Sequence, residues 1–366
     1  MELVLVPVAA FMNASVVKAF RRNNFVRFAL WGLLTVWTTV SISLAAADWL
    51  RIFEWMPGVE WLRACGVCWL LATPAAILTR HCIKPTPDVV PVRRKLLKAA
   101  AAVATAPVAA VAFGFHIARN EAEVKEVDIH VSGLPRDLDG LRIVQISDIH
   151  LSPFYSRRQL RRVIDQSNEL RASLAVITGD LITSAGDPLD DAIAELKRIR
   201  ATDGIFGCLG NHEIVARAEA YTTQVGARAG ITFLRSQAVD LRFGNARINL
   251  AGVDYQRLHQ TYLKGTERLL LPESFNLLLS HNPDVFPVAA RQGWDLTLAG
   301  HTHGGQVNFE FLHPVLNPAR YYTPFTYGRY SASGRAMFVT SGLGTVGVPS
   351  RFGTAPEIAL VRLVCA

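Results

Sequence analysis

Cysteine is scarce in this chain and badly placed for a disulfide scaffold. Of the five in 366 residues, Cys65, Cys68 and Cys82 lie in or beside an apolar stretch, and only Cys208 and Cys365 fall in the charged remainder. That pattern excludes a framework of cross-links. A redox or zinc reading of Cys65-x-x-Cys68 lacks a second pair. Charge is the next shortage. Asp, Glu, Lys and Arg are sparse before about residue 80 and common after residue 119, so front and back are different materials. Repeats and low-complexity tracts are missing apart from one Ala-rich run at 99–117, which excludes a repeat architecture. The formal net charge of +8 does not point to nucleic acid. Much of the excess sits beside the apolar segments, at Lys18, Arg21, Arg22, Arg27, Arg80, Lys84, Arg93, Arg94, Lys95 and Lys98. Clusters in such places set topology and meet anionic lipid heads.

The front third does have long uncharged runs. Residues 28–47 contain no charge and are long enough to cross a hydrocarbon core of about 30 Å. Residues 61–79 are a second candidate span, with Arg63 near one end, where it can snorkel. Residues 99–117 are a weaker third, broken by Pro107, and 3–17 is either a short fourth span or an interfacial piece. Basic residues precede the first span and crowd the 80–98 loop, whereas the 48–60 loop carries Asp48, Glu54 and Glu60 against Arg51. The positive-inside rule then puts everything after about residue 119 on the outer side. Val92-Arg93-Arg94-Lys95-Leu96-Leu97-Lys98, before the Ala-rich run, also resembles a twin-arginine export signal, with a plain basic loop as the alternative. The expected organisation is an all-α membrane region over 1–118, a linker and edge strand over 119–140, and a folded domain over 141–366.

In that domain, five short apolar runs each end in residues suited to holding a metal. LRIVQIS ends at Asp148 and His150, SLAVITG at Asp180, IFGCLG at Asn211 and His212, NLLLS at His281, and LTLAG at His301 and His303. Continuous apolar runs read as strands buried on both faces. Between them, helices are expected at 157–171 with Ser156 as N-cap, at 188–200, at roughly 213–229 and at 284–291. Residues 231–253 read as strands of a second sheet, and AMFVTSG and EIALVRLV as closing strands. The fold class is α/β (α+β): two packed sheets flanked by helices. Ligands of open α/β sheets bind where strands hand over to loops at their carboxyl ends, so five such ends would gather these side chains at one point.

Carboxylates, an amide oxygen and imidazoles suit two divalent cations such as Mn²⁺, Fe or Zn²⁺. Asp148 and His150, two apart on an extended segment, can share one ion. Asp180 is the candidate bridge. A water between two dications loses its proton near neutral pH and becomes a nucleophile for a phosphoester. His212 is placed to donate a proton to the departing oxygen. The candidate catalytic residues are therefore His212 and Asp148. Arg157 and Arg351 are candidate phosphate contacts. The aromatic, proline-rich stretch 305–330 is either packing or a lid with an apolar wall for an acyl chain.

The blocks Asp148-Ile149-His150, Gly179-Asp180, Gly210-Asn211-His212-Glu213, Ser280-His281 and Gly300-His301-Thr302-His303 resemble the calcineurin-like metallophosphoesterases over roughly 141–364. The resemblance implies a four-layer α-β-β-α sandwich. It implies Asp148, His150, Asp180 and His303 on one metal, and Asp180, Asn211, His281 and His301 on the other, with His212 at the leaving group. Gly304-Gly305-Gln306 and the tail GLGTVGVPSRFGTAPE look like a bacterial membrane-anchored branch, some of whose relatives hydrolyse UDP-2,3-diacylglucosamine, a lipid A precursor. Protein phosphatases of the superfamily carry GDxxDRG, but here Thr183 stands where the Asp would orient the catalytic His and Ser184 where the Arg would grip phosphate. The expectation is a multi-pass inner-membrane phosphoesterase with an extracytoplasmic catalytic domain, acting on a lipid or envelope phosphoester. The alternatives are a lipid A enzyme and a non-catalytic metal-binding membrane scaffold.

Overall fold

The computed structural model describes residues 122–257, 261–310 and 313–366, together with Gly114 and Ala118. The apolar stretches 3–17, 28–47, 61–79 and 99–117 and the basic segment 92–98 lie, Gly114 apart, outside the described residues. Among the described residues no helix is long and apolar enough to cross a membrane.

Two six-stranded sheets form the domain. The first holds β1 (Glu123–Val131), β2 (Arg142–Ile146), β3 (Leu174–Thr178), β4 (Ile205–Cys208), β5 (Ile231–Phe233) and β12 (Glu357–Cys365), in the order β1-β12-β2-β3-β4-β5. The second holds β6 (Gln237–Phe243), β7 (Ala246–Gly252), β8 (Phe275–Leu279), β9 (Leu296–Ala299), β10 (Gly328–Ala332) and β11 (Arg335–Val339), in the order β10-β11-β9-β8-β7-β6. In the first, β2 to β5 run parallel, as do β7, β8, β9 and β11 in the second. Strand β12 is antiparallel to β2, and β1 is parallel to β12.

The apolar runs are explained by burial on both faces, sorted by the two-residue period of a strand. Ile143, Leu174, Val176, Leu277, Leu296, Leu298 and Phe338 point into the core shared by the two sheets. Their neighbours Val144, Ile146, Ala175 and Ile177 point the other way, against α1 (Arg157–Glu169) and α2 (Leu189–Leu196). On the second sheet Leu278, Ala299, Met337 and Val339 face outward, toward α5 (Phe286–Gln292). Helix, sheet, sheet and helix thus form four layers. Helix α1 begins where the sequence says: Ser156 accepts from the Gln159 N–H while its own N–H donates to Gln159 Oε1 at 2.9 Å. Its Leu160, Val163 and Ile164 are buried, each worth about 1.5–3 kcal/mol.

Two expectations are corrected. β5 belongs to the first sheet, paired with β4, so only β6 and β7 of the 231–253 segment build the second. The helix expected at 213–229 is two helices, α3 (Asn211–Val215) and α4 (Glu219–Arg228), separated at Arg217, whose φ is 54°. The edge strand expected within 119–140 is β1, at the edge of the first sheet. Beyond β1 the chain forms a 3₁₀ turn, Arg136–Leu138, that buries Leu138 completely.

Candidate metal centre

The parallel strands of both sheets end on the same side. β2 delivers Asp148 and His150, β3 delivers Asp180, and β4 leads through Gly210 into Asn211 and His212 at the start of α3. From the second sheet β8 delivers His281 and β9 delivers His301 and His303. The fit is close enough to require two glycines: a Cβ on Gly210 would collide with Asp180 Oδ1, and one on Gly300 with Ser147 Oγ and Asp148 Oδ2. The backbone also turns sharply at the ligands themselves. Asp148, His150, Asp180, His301 and His303 all have φ between 46° and 76°. For non-glycine residues this left-handed region costs about 1–2 kcal/mol each.

Six of the seven expected ligands come together in overlapping groups. Asp148, His150 and His303 form one group, Asp180, His281 and His301 a second, and His150, Asp180 and His212 a third that overlaps both. His281 Nε2 lies 2.9 Å from Asp180 Oδ2, and His303 Nε2 lies 3.4 Å from Asp148 Oδ1. Two pairs of ring nitrogens face each other at 3.2 Å, His150 Nε2 with His303 Nε2 and His301 Nδ1 with His281 Nε2. Asn211 Oδ1 is buried without a hydrogen-bond partner. Lone pairs converging on one space, with an orphaned amide oxygen among them, fit divalent cations.

The polar surroundings hold these groups at fixed angles. His281 Nδ1–H donates to the Thr178 carbonyl at 2.6 Å, leaving Nε2 free to ligate. Ser147 Oγ–H donates to Asp148 Oδ2 at 2.5 Å, and the His301 N–H reaches the same carboxylate. Glu213, fully buried, accepts from the N–H groups of Asp180, Leu181 and Gly210, which ties the β3 and β4 loops together. His212, whose ring meets His150 edge-on at 4.7 Å, donates Nδ1–H to the Thr183 carbonyl at 2.6 Å. A main-chain oxygen at Thr183 therefore fixes the His212 ring, and Thr183 Oγ1 lies 3.3 Å from His150 Nδ1.

Burial and mutual charge set the proton affinities. Burial raises Asp148 to about 6, partly offset by His281. Asp180 is held well below the usual carboxylate range: burial opposes this, but His281, His212 and His150 outweigh it. Burial alone would lower His281, yet Asp180 and Asp148 lift it to about 10. Burial holds His150 and His303 well below ordinary histidine and brings His301 to about 3, so these imidazoles are neutral and ready to bind a cation.

The two arginines are placed differently from expectation. Arg157 gives Nε to Glu195 at 2.6 Å and Nη1 to Asp191 at 2.5 Å, on the helical layer of the first sheet. Arg351 is wholly buried, donating to the carbonyls of Gly344, Ser341 and Ala355. It braces the tail behind His303, with Nη2 3.3 Å from His303 Nδ1. Both guanidiniums are engaged by protein oxygens.

Two residues escaped the sequence reading. Gln145, on the inter-sheet face of β2, donates Nε2–H to Thr178 Oγ1 at 2.9 Å and to the Ala299 carbonyl at 3.0 Å, bridging the sheets beneath the metal ligands. A polar residue set between Val144 and Ile146 in a strand buried on both faces was its signal. Tyr255, just past β7, sets its ring 5.3 Å from His301 and 6.0 Å from His281 and walls one side of the site. Nothing in its sequence neighbourhood marked it.

The profile of the calcineurin-like phosphoesterase family matches residues 141–305. An uncharacterized metallophosphoesterase of Bacillus subtilis (strain 168) is 33% identical over 246 residues, 66% of this chain and 85% of that protein. The chain belongs to the calcineurin-like phosphoesterases. It is accordingly a metal-dependent hydrolase of phosphoric esters. A Danio rerio relative described as a transmembrane protein with metallophosphoesterase domain is 32% identical over 272 residues, 69% of this chain and 59% of that protein. The phosphoesterase thus spans about six-tenths of that relative's length. Among solved structures, the sulfate thiohydrolase SoxB of Thermus thermophilus gives a TM-score of 0.37 at 13% identity, covering 57% of this chain and 53% of that one. A likeness that low carries no argument about chemistry.

Proposed function

We propose that this phosphoesterase is a membrane-anchored, two-cation enzyme that hydrolyses a lipid or envelope phosphoester outside the cytoplasm. The observation that carries the two-cation reading is the position of Asp180, which belongs at once to the group with His281 and His301 and to the group with His150. One carboxylate between two imidazole clusters is the arrangement that holds two ions a few ångströms apart. When bound, such ions supply Lewis acidity and a water of lowered pKa. The chain's own residues do the rest. Asp148, His150 and His303 hold one side, Asn211, His281 and His301 the other, and the Thr183 carbonyl fixes His212 with Nε2 toward the group that departs. The membrane anchor is supported by the apolar runs at 28–47, 61–79 and 99–117 and by the description of the Danio rerio relative as a transmembrane protein.

Elemental analysis of the purified chain tests the metal reading, with hydrolysis of bis-p-nitrophenyl phosphate in Mn²⁺ as the activity. The expected result is two ions per chain, fewer in Asp180→Asn, with turnover lost in that variant. One ion in both, or equal rates, ends the two-cation reading. Alkaline phosphatase fused after residue 119 reports the side: an active fusion supports the outer placement, a silent one reverses it.

A further inference from the structure

We propose that the segment Pro314–Tyr322 is a lipid-contacting surface that seats the domain on a bilayer, so that the metal centre works on phosphoesters presented at a membrane interface. The proposal rests on the anchored reading above and names the physical state of the substrate.

Five large hydrophobic side chains stand exposed among the described residues, and three of them, Leu316, Tyr321 and Tyr322, fall within seven residues of each other. Tyr321 is 71% exposed and Tyr322 63%. A cluster of this kind is unusual on a surface that meets only water. Tyrosine suits the headgroup region, where an apolar ring and a polar tip both find partners. The cluster is presented by a braced loop. Asn317, 1% exposed, accepts from the Ala319 N–H at 3.0 Å and donates to Glu310 at 2.8 Å, and Glu310 in turn holds Arg320 through Nε at 2.8 Å.

Two placements tie this loop to the centre and to the anchor. Asn317 Nδ2 donates to the carbonyl of Gly304, the residue after the ligand His303, and lies so close to Gly305 that a Cβ there would strike its Oδ1. The loop is thus built directly on the ligand-bearing turn. Strand β1 is parallel to β12 and β12 antiparallel to β2, so the amino end of β1 lies at the edge of the sheet where β2 delivers Asp148 and His150. Glu123, the first residue of β1, lines one 290 Å³ cleft with Gly304, Asn308 and Glu310. The chain therefore enters the domain on the face that carries both the centre and the exposed rings. In sequence the third apolar run, 99–117, ends six residues before β1, a reach of about 20 Å. A bilayer is the occupant such a tether brings to that face.

The test uses the full chain carrying Cys65→Ser, Cys68→Ser, Cys82→Ser and Cys365→Ser; Cys208 is buried and stays. An NBD probe is attached at Tyr321→Cys or, as control, at Asn245→Cys in the exposed β6–β7 turn, at the opposite end of the strands. Each chain is placed in nanodiscs of phosphatidylethanolamine and phosphatidylglycerol with a spin label on the acyl chain. The expected result is quenching at 321 at least about three-fold stronger than at 245, as for a group some 5–10 Å into the interface. Equal quenching at the two positions overturns the proposal. So does cross-linking of the 321 site to a second copy, which assigns the surface to self-association. Unchanged hydrolysis of soluble bis-p-nitrophenyl phosphate shows that the labelled chains are folded. Release of the unlabelled chain from membranes by alkaline carbonate sinks the anchored reading instead, and labelled chain added to vesicles of the same lipids then decides the surface alone.

Discussion

The two sheets make opposite contributions to the metal centre. The first supplies both carboxylates, the amide of Asn211, and the imidazoles of His150 and His212. The second supplies imidazoles only, His281, His301 and His303, with Tyr255 beside them. Negative charge is thus confined to one half, and the neutral ligands of the other half must be brought to it across the inter-sheet core. The difference teaches that the centre depends on sheet register as much as on ligand identity. Gln145, bonded to Thr178 Oγ1 on one side and the Ala299 carbonyl on the other, is the polar strut of that register.

The sharpest way to break the comparison is to remove the shared anion. Asp180→Asn is expected to lower hydrolysis of bis-p-nitrophenyl phosphate by about 10³-fold or more, since under the proposed two-cation reading it weakens both ion positions. Removing one neutral ligand from the other sheet should cost less: His281→Ala is expected to lose about 10²-fold, partly recovered at high Mn²⁺. If the two variants fall equally under saturating metal, the asymmetry between anionic and neutral halves is not functional. Gln145→Leu leaves every ligand in place but unties the sheets. It should weaken metal affinity, measured by chelator competition, by about 10–100-fold, with a stability loss of only about 1 kcal/mol, since the Ala299 carbonyl keeps the Thr340 N–H at 3.0 Å.

A pH titration compares the two halves without mutation. In the chelator-stripped domain, His150, His301 and His303 have proton affinities below ordinary histidine and are neutral when folded, so at pH 5 unfolding takes up about three protons on them. Asp148, raised to about 6, works the other way and releases one. Asp180, held low, and His281, raised to about 10, keep the same charge folded or unfolded at that pH. Glu213, also raised by burial, adds a second release, but the three histidines outnumber the two carboxyls, so stability falls as pH drops from about 6.5 toward 4. Thermal melts across that range check the sign; a Tm that rises on acidification would show the carboxylate half in control. The smallest effects belong to residues outside the contrast. Thr183→Ala keeps the carbonyl that holds His212, and Arg157→Ala removes a half-exposed ion pair, so each should leave kcat/KM within about two-fold and Arg157→Ala should cost under about 1 kcal/mol in a denaturant melt.

Much of this was legible in the sequence, because strands buried on both faces leave long apolar runs and metal ligands must sit where those runs end. Asp148, His150, Asp180, His212, His281, His301 and His303 meet where that logic puts them. What was not legible has a physical reason in each case. The sheet to which β5 belongs is a pairing choice between Ile231–Phe233 and β4, and three apolar residues carry no record of their partner. The break at Arg217 is a backbone event that helix-forming residues on both sides conceal. Arg351 reads as a phosphate contact because a cation near a ligand block suggests an anion, but its charge is spent on carbonyls of the tail. Tyr255 reaches the site through a turn after β7 that no spacing rule encodes.

The left-handed backbone at five of the ligands has a last consequence. At each of these positions an achiral residue would relax the chain by about 1 kcal/mol. Emptied of ions, the domain would gain most from glycine at the very places where its chemistry forbids it. Selection for folding alone and selection for turnover therefore pull this sequence in opposite directions at Asp148, His150, Asp180, His301 and His303.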